Sequence, residues 1–180
     1  KTMKELNILA TATREQERYL LRFLNGYGEF KGSGFRDVVL GRVEEIDAFL
    51  RTLENLREEN PIKLNPLSQI VPLEKTFLFD LSDFKDKLKE ILSSYVDRIE
   101  NKKFYLRVKR RGHKGEISSL EVEKEVADFI MGSLEKAGKK AQVSFNDPDC
   151  ILIVETIGNW AGVGFITKDM KEKYSLIRIK

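Results

Sequence analysis

The chain has 180 residues, 41% of them hydrophobic and 34% charged, with 32 Lys and Arg against 29 Asp and Glu for a net charge of +3. That length buries a real core, as one large domain or two small ones, and the composition excludes a disordered chain. One cysteine, Cys150, and one histidine, His113, exclude an internal disulfide framework and the usual structural zinc site.

The charge is unevenly spread. Residues 1–100 carry 16 basic and 18 acidic side chains, a balance of −2, whereas residues 101–180 carry 16 and 11, a balance of +5. A basic function is therefore expected in the second half. No apolar run approaches the roughly 20 residues that span a bilayer, and the amino terminus lacks the apolar stretch of a secretory signal. A cytoplasmic location with reduced thiols and no membrane partner is expected.

In chain order, Glu5 to Ala12 reads as a strand leading into Thr13-Arg14-Glu15-Gln16, which has capping-box form. A helix with Leu20, Phe23 and Leu24 on one face should follow, closed by Gly26 as a left-handed C-cap. Two strand-like pieces, Glu29 to Ser33 and Arg36 to Val43, flank Gly32-Ser33-Gly34 and predict a hairpin. Ile46, Phe49, Leu50, Leu53 and Leu56 recur at helical spacing up to Asn60-Pro61, and Ile70 to Phe79 returns to an extended pattern. The order β-α-β-β-α-β is that of the ferredoxin-like split arrangement, two helices on one face of a four-stranded antiparallel sheet.

Asp80 to Asn101 then reads as one long helix with the apolar stripe Phe84, Leu88, Ile91, Leu92, Tyr95 and Ile99. After it comes Lys102-Lys-Phe-Tyr-Leu-Arg-Val-Lys-Arg-Arg-Gly-His-Lys114, in which seven of thirteen positions are Lys or Arg and none is acidic. Its middle alternates as a strand does, with Phe104, Leu106 and Val108 on one face and Tyr105, Arg107 and Lys109 on the other, ending in the loop Arg110 to Lys114. Guanidinium forks and lysine charges held this way suit phosphates, whose neutralisation releases counterions; a solvated, lysine-blunted strand is the alternative. Ser118 with Glu121 forms a second capping box, and the helix it opens runs to Gly138. Ala141 to Phe145 alternates, Asn146-Asp147-Pro148-Asp149 is a turn, and Cys150 to Val154 is apolar on both faces, as a central strand requires. Glu155 to Gly158 reads as a polar break, Trp160 to Thr167 as a glycine-punctuated strand, and Lys168 to Lys180 as a basic end.

Little supports catalysis. Gly26 to Gly32 misses the dinucleotide spacing by one residue, no phosphate loop is present, and metal-ligand spacing is absent. No cofactor, metal or catalytic residue is expected. His113 is read as a loop donor to phosphate or ribose, Cys150 as a small core residue, and Asp147 and Asp149 as turn chemistry. Trp160 is read as a core or interface residue, with stacking on an RNA base as the alternative.

From Asp83 onward the amphipathic helix, Phe-Tyr-Leu-Arg-Val-Lys-Arg-Arg-Gly, the capped helix, Asn146-Asp-Pro-Asp149, Ile-Leu-Ile-Val-Glu155 and Lys173-Tyr-Ser-Leu176 resemble a THUMP domain. The front half is similar to the amino-terminal ferredoxin-like domain that accompanies THUMP in RNA-modifying enzymes. The resemblance implies an α+β chain: a ferredoxin-like domain at 1–79, then a THUMP domain at 80–180 with helices packed on a small mixed sheet. It implies a tRNA partner, held by its 3' CCA end and acceptor stem, and no DNA partner. The RNA-facing set would be Arg107, Lys109, Arg110, Arg111, His113 and Lys114, joined by Asn159, Lys171 and Lys173. The chain is similar to the adaptor that presents tRNA to an RNA acetyltransferase making acetylcytidine, although Ser175 stands where that pattern has Asn. The alternative is the recognition part of a THUMP methyltransferase or thiouridine synthase whose catalytic domain is absent.

Overall fold

The computed structural model describes residues 6–180. Glu5, expected to open the first strand, lies outside the described residues. The chain forms two compact units: residues up to Thr76 together with Asp169–Lys180, and Phe77–Lys168. Expected domains of 1–79 and 80–180 stand beside this division, in which the closing twelve residues count with the first unit.

In the first unit, β1 (Ile8–Ala12), α1 (Glu17–Leu24), β2 (Glu29–Gly32), β3 (Val38–Arg42), α2 (Ile46–Glu59) and β4 (Leu67–Pro72) follow one another. The strands form a sheet in the order β2-β3-β1-β4. Every neighbouring pair is antiparallel. Residues with period-two or helical spacing supply the interior: Ile8, Ala10, Leu20, Leu24, Leu40, Leu50, Leu53 and Ile70 are at most 2% exposed. Gly41 is required by packing, because a Cβ there would sit 2.1 Å from the Phe30 ring.

Three local expectations in this stretch are corrected. Thr13 does not cap α1; its hydroxyl donates to the Asn65 carbonyl, and the Gln16 amide bonds the Thr13 carbonyl at 2.9 Å, so Gln16 becomes the N-cap without a side-chain bond. Gly26 is not a left-handed cap, since α1 ends at Asn25 in the right-handed region and the Gly26 amide closes a tight turn on Phe23 O at 3.2 Å. The predicted strand Ile70 to Phe79 is two strands. β4 ends at Pro72, and β5 (Lys75–Leu78) joins the other sheet.

The second sheet has the order β5-β9-β8-β6-β7, from β6 (Lys103–Lys109), β7 (Gln142–Val143), β8 (Cys150–Ile157) and β9 (Trp160–Thr167). β6 runs parallel to β7 and β8, and β8 is antiparallel to β9. Phe104, Leu106 and Val108 of β6, Leu152 and Val154 of β8, and Val163 and Phe165 of β9 form one buried cluster with the helices. The alternation is that of a sheet with one face on a helical layer. Each such side chain contributes about 1.5–3 kcal/mol relative to exposure. Those helices are α3 (Phe84–Ser93), α4 (Val96–Ile99) and α5 (Ser119–Lys136), with α6 (Lys168–Lys173) following β9.

The single helix expected over Asp80 to Asn101 is divided. Ser93 and Ser94 turn their hydroxyls back onto the Glu90 and Ile91 carbonyls at 2.6 and 2.7 Å, and the Tyr95 amide tightens onto Leu92 O at 2.9 Å, which ends α3. Phe84, Leu88, Leu92, Tyr95 and Ile99 of its apolar stripe are buried as expected. α5 has the signalled boundaries: Ser118 Oγ accepts the Glu121 amide at 3.3 Å. At the other end Gly138, with φ +70°, permits the Lys139 amide to reach Leu134 O at 2.8 Å and its own to reach Glu135 O at 3.0 Å. The predicted strand Ala141 to Phe145 shrinks to the pair Gln142–Val143. The predicted polar break at Glu155 is absent, because β8 continues to Ile157 and buries Glu155 and Thr156 completely. Among the described residues no helix is long and apolar enough to cross a membrane.

Candidate nucleic-acid interface

β6 carries the basic stretch between two neighbours of unequal length. β8 pairs it along its length, from Phe104 with Cys150 to Lys109 with Glu155, whereas β7 pairs only Lys103 and Phe104. Beyond Phe104 the outer edge of β6 is therefore open to other partners. α5 supplies one: Glu123 accepts the Val108 amide at 2.8 Å and pairs with Arg107 at 3.5 Å.

The cations of this stretch fall into two classes. Lys103 pairs with Asp147 at 2.8 Å, Arg107 with Glu123, and Arg111 with Glu155 at 2.8 Å. Among the described residues Lys102, Lys109 and Lys114 make no ion pair, and Arg110 donates to the Gly112 carbonyl at 2.6 Å within its own loop. Acids distant in sequence thus neutralise Lys103, Arg107 and Arg111 and leave Lys102, Lys109, Arg110 and Lys114 without an acidic partner among the described residues.

Arg111 is the most enclosed of these paired cations. Its side chain is 19% exposed against a fully buried Glu155, its amide donates to Thr156 Oγ1 at 3.0 Å, and its carbonyl takes the Gly158 amide at 2.9 Å. Burial raises the Glu155 carboxyl above the usual range, with the Arg111 guanidinium acting against that rise, and Glu155 Oε1 has no hydrogen-bond partner among the described residues. These contacts tie the loop after β6 to the β8–β9 turn. His113 adds to the tie: with φ +53°, it places Nε2 2.5 Å from Asn159 Oδ1, Nδ1 3.7 Å from Glu116 Oε1, and its carbonyl over the Glu116 and Ile117 amides. The Asn159 carbonyl in turn accepts the Phe79 amide at 2.9 Å.

The structure therefore brings Arg107, Lys109, Arg110, Arg111, His113, Lys114 and Asn159 into one unit, at and after the carboxyl end of β6. Lys171 and Lys173 belong to the other unit. Lys171 Nζ donates to Ile179 O at 2.8 Å, and Lys173 pairs with Asp169 at 3.3 Å. Ser175, where the resemblance departs, is bound by Glu54 of the same unit through its amide and hydroxyl at 3.1 and 2.9 Å.

One aromatic changes role and another keeps it. Tyr105, expected on the displayed face, is 3% exposed, and Phe145 at 64% covers it with ring centroids 5.3 Å apart. Trp160 is 2% exposed, which places it in the interior. The Asn146-Asp-Pro-Asp149 turn is a clamp: Asp149 Oδ2 accepts the Lys103 amide at 2.8 Å, its amide donates to Lys103 O at 2.7 Å, and its carbonyl accepts the Lys168 amide at 3.0 Å. Cys150 is buried and unpaired, with burial pushing its thiol to about 11. It should resist alkylation at pH 8 in the native protein and react fully in denaturant, as mass spectrometry would read. Rapid native modification would show that the strand opens.

With this geometry in hand, the family model of the THUMP domain matches residues 79–165. A tRNA sulfurtransferase of Vibrio vulnificus is 28% identical over 133 residues, covering 69% of this chain and 27% of that protein. The chain spans about a quarter of the length of the curated relatives it matches. Among solved structures, TrmN from Thermus thermophilus is similar with a TM-score of 0.62 at 16% identity, over 89% of this chain and 45% of that one. A 4-thiouridine synthetase solved with RNA and ATP is similar with a TM-score of 0.54 at 13% identity, over 91% of this chain and 42% of that one. At these identities the structural likeness is one of fold. Residues 79–165, lying within the second compact unit, form a THUMP domain.

Proposed function

We propose that this chain is a non-catalytic tRNA-binding module that holds the 3' CCA end and acceptor stem at the loop after β6. The carrying observation is that Lys109 ends β6 and Arg110 and Lys114 stand in the loop after it, which is fixed by Arg111–Glu155 and His113–Asn159. A rigid support lowers the ordering cost of each phosphate contact, so binding energy is spent on orientation, and a separate catalytic unit does the chemistry. The β2-β3-β1-β4 order supports reading the first unit as the ferredoxin-like companion of the THUMP domain.

Two readings of that catalytic unit follow. One is a separate RNA acetyltransferase that receives the tRNA and makes acetylcytidine. The other is a sulfur-transferring or methyl-transferring enzyme of which this chain is the recognition part; the sulfurtransferase relatives and the fold shared with the synthetase–RNA complex favour it. Incubating the chain and tRNA with an RNA acetyltransferase and acetyl donor separates them. Acetylcytidine made only when the chain is present supports the adaptor; the same yield without it leaves the recognition-part reading.

A further inference from the structure

The edge of the second sheet opposite the β8 side holds features that the loop reading does not use. Phe145 is the most exposed Phe or Tyr among the described residues, at 64%. Its exposure is not the result of a loose loop. The Ser144 amide bonds Phe104 O at 2.9 Å, the Asp147 amide bonds Ser144 Oγ at 3.4 Å, and Asp149 locks onto the Lys103 backbone from the far side of the turn. The ring lies against Tyr105 with centroids 5.3 Å apart and planes tilted by 33°, and most of the side chain is exposed. At the amino end of β6, where the Gln142 amide bonds Lys102 O and the Ser144 amide bonds Phe104 O, Lys102, Lys103 and Lys140 line a cavity of about 270 Å³ with Asn101, Ala141 and Gln142. Lys103 is held by Asp147, while Lys102 and Lys140 make no ion pair among the described residues.

We propose that this edge is a nucleotide subsite for single-stranded RNA, with a base stacked on Phe145 and the adjoining phosphate in the Lys102–Lys140 cavity. The inference rests on the RNA-binding reading above and adds a second contact region at the amino end of β6. The chemistry fits one ligand class. An open aromatic face takes any base, and unpaired ammonium groups take the phosphate. Along β6 the distance from Lys103 to Tyr105, which supports Phe145, is about 7 Å, a span that one nucleotide bridges. Further on, Arg107 and then Lys109 and Arg110 continue the track, with Arg107 lying 5.2 Å over the Tyr105 ring.

The test is fluorescence anisotropy of the whole chain with a short unstructured oligoribonucleotide and with tRNA. Phe145→Leu keeps an apolar cover on Tyr105 but removes the π face, and should weaken oligonucleotide binding about tenfold, whereas Phe145→Tyr should stay within about twofold. Lys102→Ala with Lys140→Ala should flatten the log affinity versus log salt slope by about one for each phosphate no longer neutralised. Phe145→Leu binding as the wild type, or Phe145→Tyr losing as much as Phe145→Leu, overturns the subsite; the former assigns the ring to a protein contact. Wild-type protein with no affinity for either RNA removes the functional reading as well, and the two failures are thereby distinguishable.

Discussion

Replacing Arg111 by Ala is expected to destabilise the second unit by about 3–5 kcal/mol, because it leaves the fully buried Glu155 carboxylate without its guanidinium. Denaturant unfolding followed by far-UV circular dichroism measures it. Adding Glu155→Gln to Arg111→Ala should restore most of the loss, since the orphaned charge is then gone. A loss below about 1 kcal/mol in the single variant would mean that Glu155, freed of the guanidinium, takes up a proton or meets water instead of remaining a dry buried charge. The pH dependence follows in sign. Burial raises the folded-state Glu155 carboxyl, so between its unfolded value of about 4.3 and that raised value the native state holds a proton which the unfolded chain has released. Stability contributed by this group therefore falls as pH rises through that window, and Glu155→Gln should flatten the fall. For function, a loss of RNA binding in Arg111→Ala is read only beside its unfolding curve, since loss of the fold alone would produce it.

Arg110→Ala with Lys114→Ala is the informative pair. Among the described residues, Lys114 is exposed, Arg110 bonds only the Gly112 carbonyl of its own loop at 2.6 Å, and neither neutralises a buried acid. Stability should change by no more than about 0.5 kcal/mol. Binding of tRNA should weaken by about 1–3 kcal/mol, and the salt slope should flatten by about one per phosphate that loses its cation. The weakening should be similar across tRNA sequences, because phosphate contacts carry no base information. Unchanged affinity and slope in a folded double variant would remove the loop from the interface.

How far the sequence reveals this arrangement depends on the range of the forces involved. Patterns set by neighbours in the chain are readable: the capped helix Ser119–Lys136, the β2–β3 hairpin, and the burial of Phe104, Leu106 and Val108. The β-α-β-β-α-β order of the first unit is likewise visible from periodicity. Competition between local bonds and distant ones is not. Thr13 has capping-box spacing, yet its hydroxyl is taken by Asn65, fifty-two residues away. Asp80 to Asn101 has an unbroken apolar stripe, yet two serines end the helix inside it. The basic stretch shows the same limit. No acid lies within residues 102–114, but Asp147, Glu123 and Glu155 come to it from other elements and pair with Lys103, Arg107 and Arg111. Phe145 is legible as an aromatic beside a turn, but its packing against Tyr105, forty residues earlier in the chain, is not.

The measurement that tests the central claim most directly is the affinity of the chain for a labelled tRNA with an intact 3' end and for the same tRNA lacking CCA, each at two salt concentrations. Removing CCA is expected to abolish most of the affinity, and salt to weaken what remains. Equal binding of the two RNAs, or no binding of either, would contradict the tRNA-end reading and leave the basic end of β6 as a solvated surface.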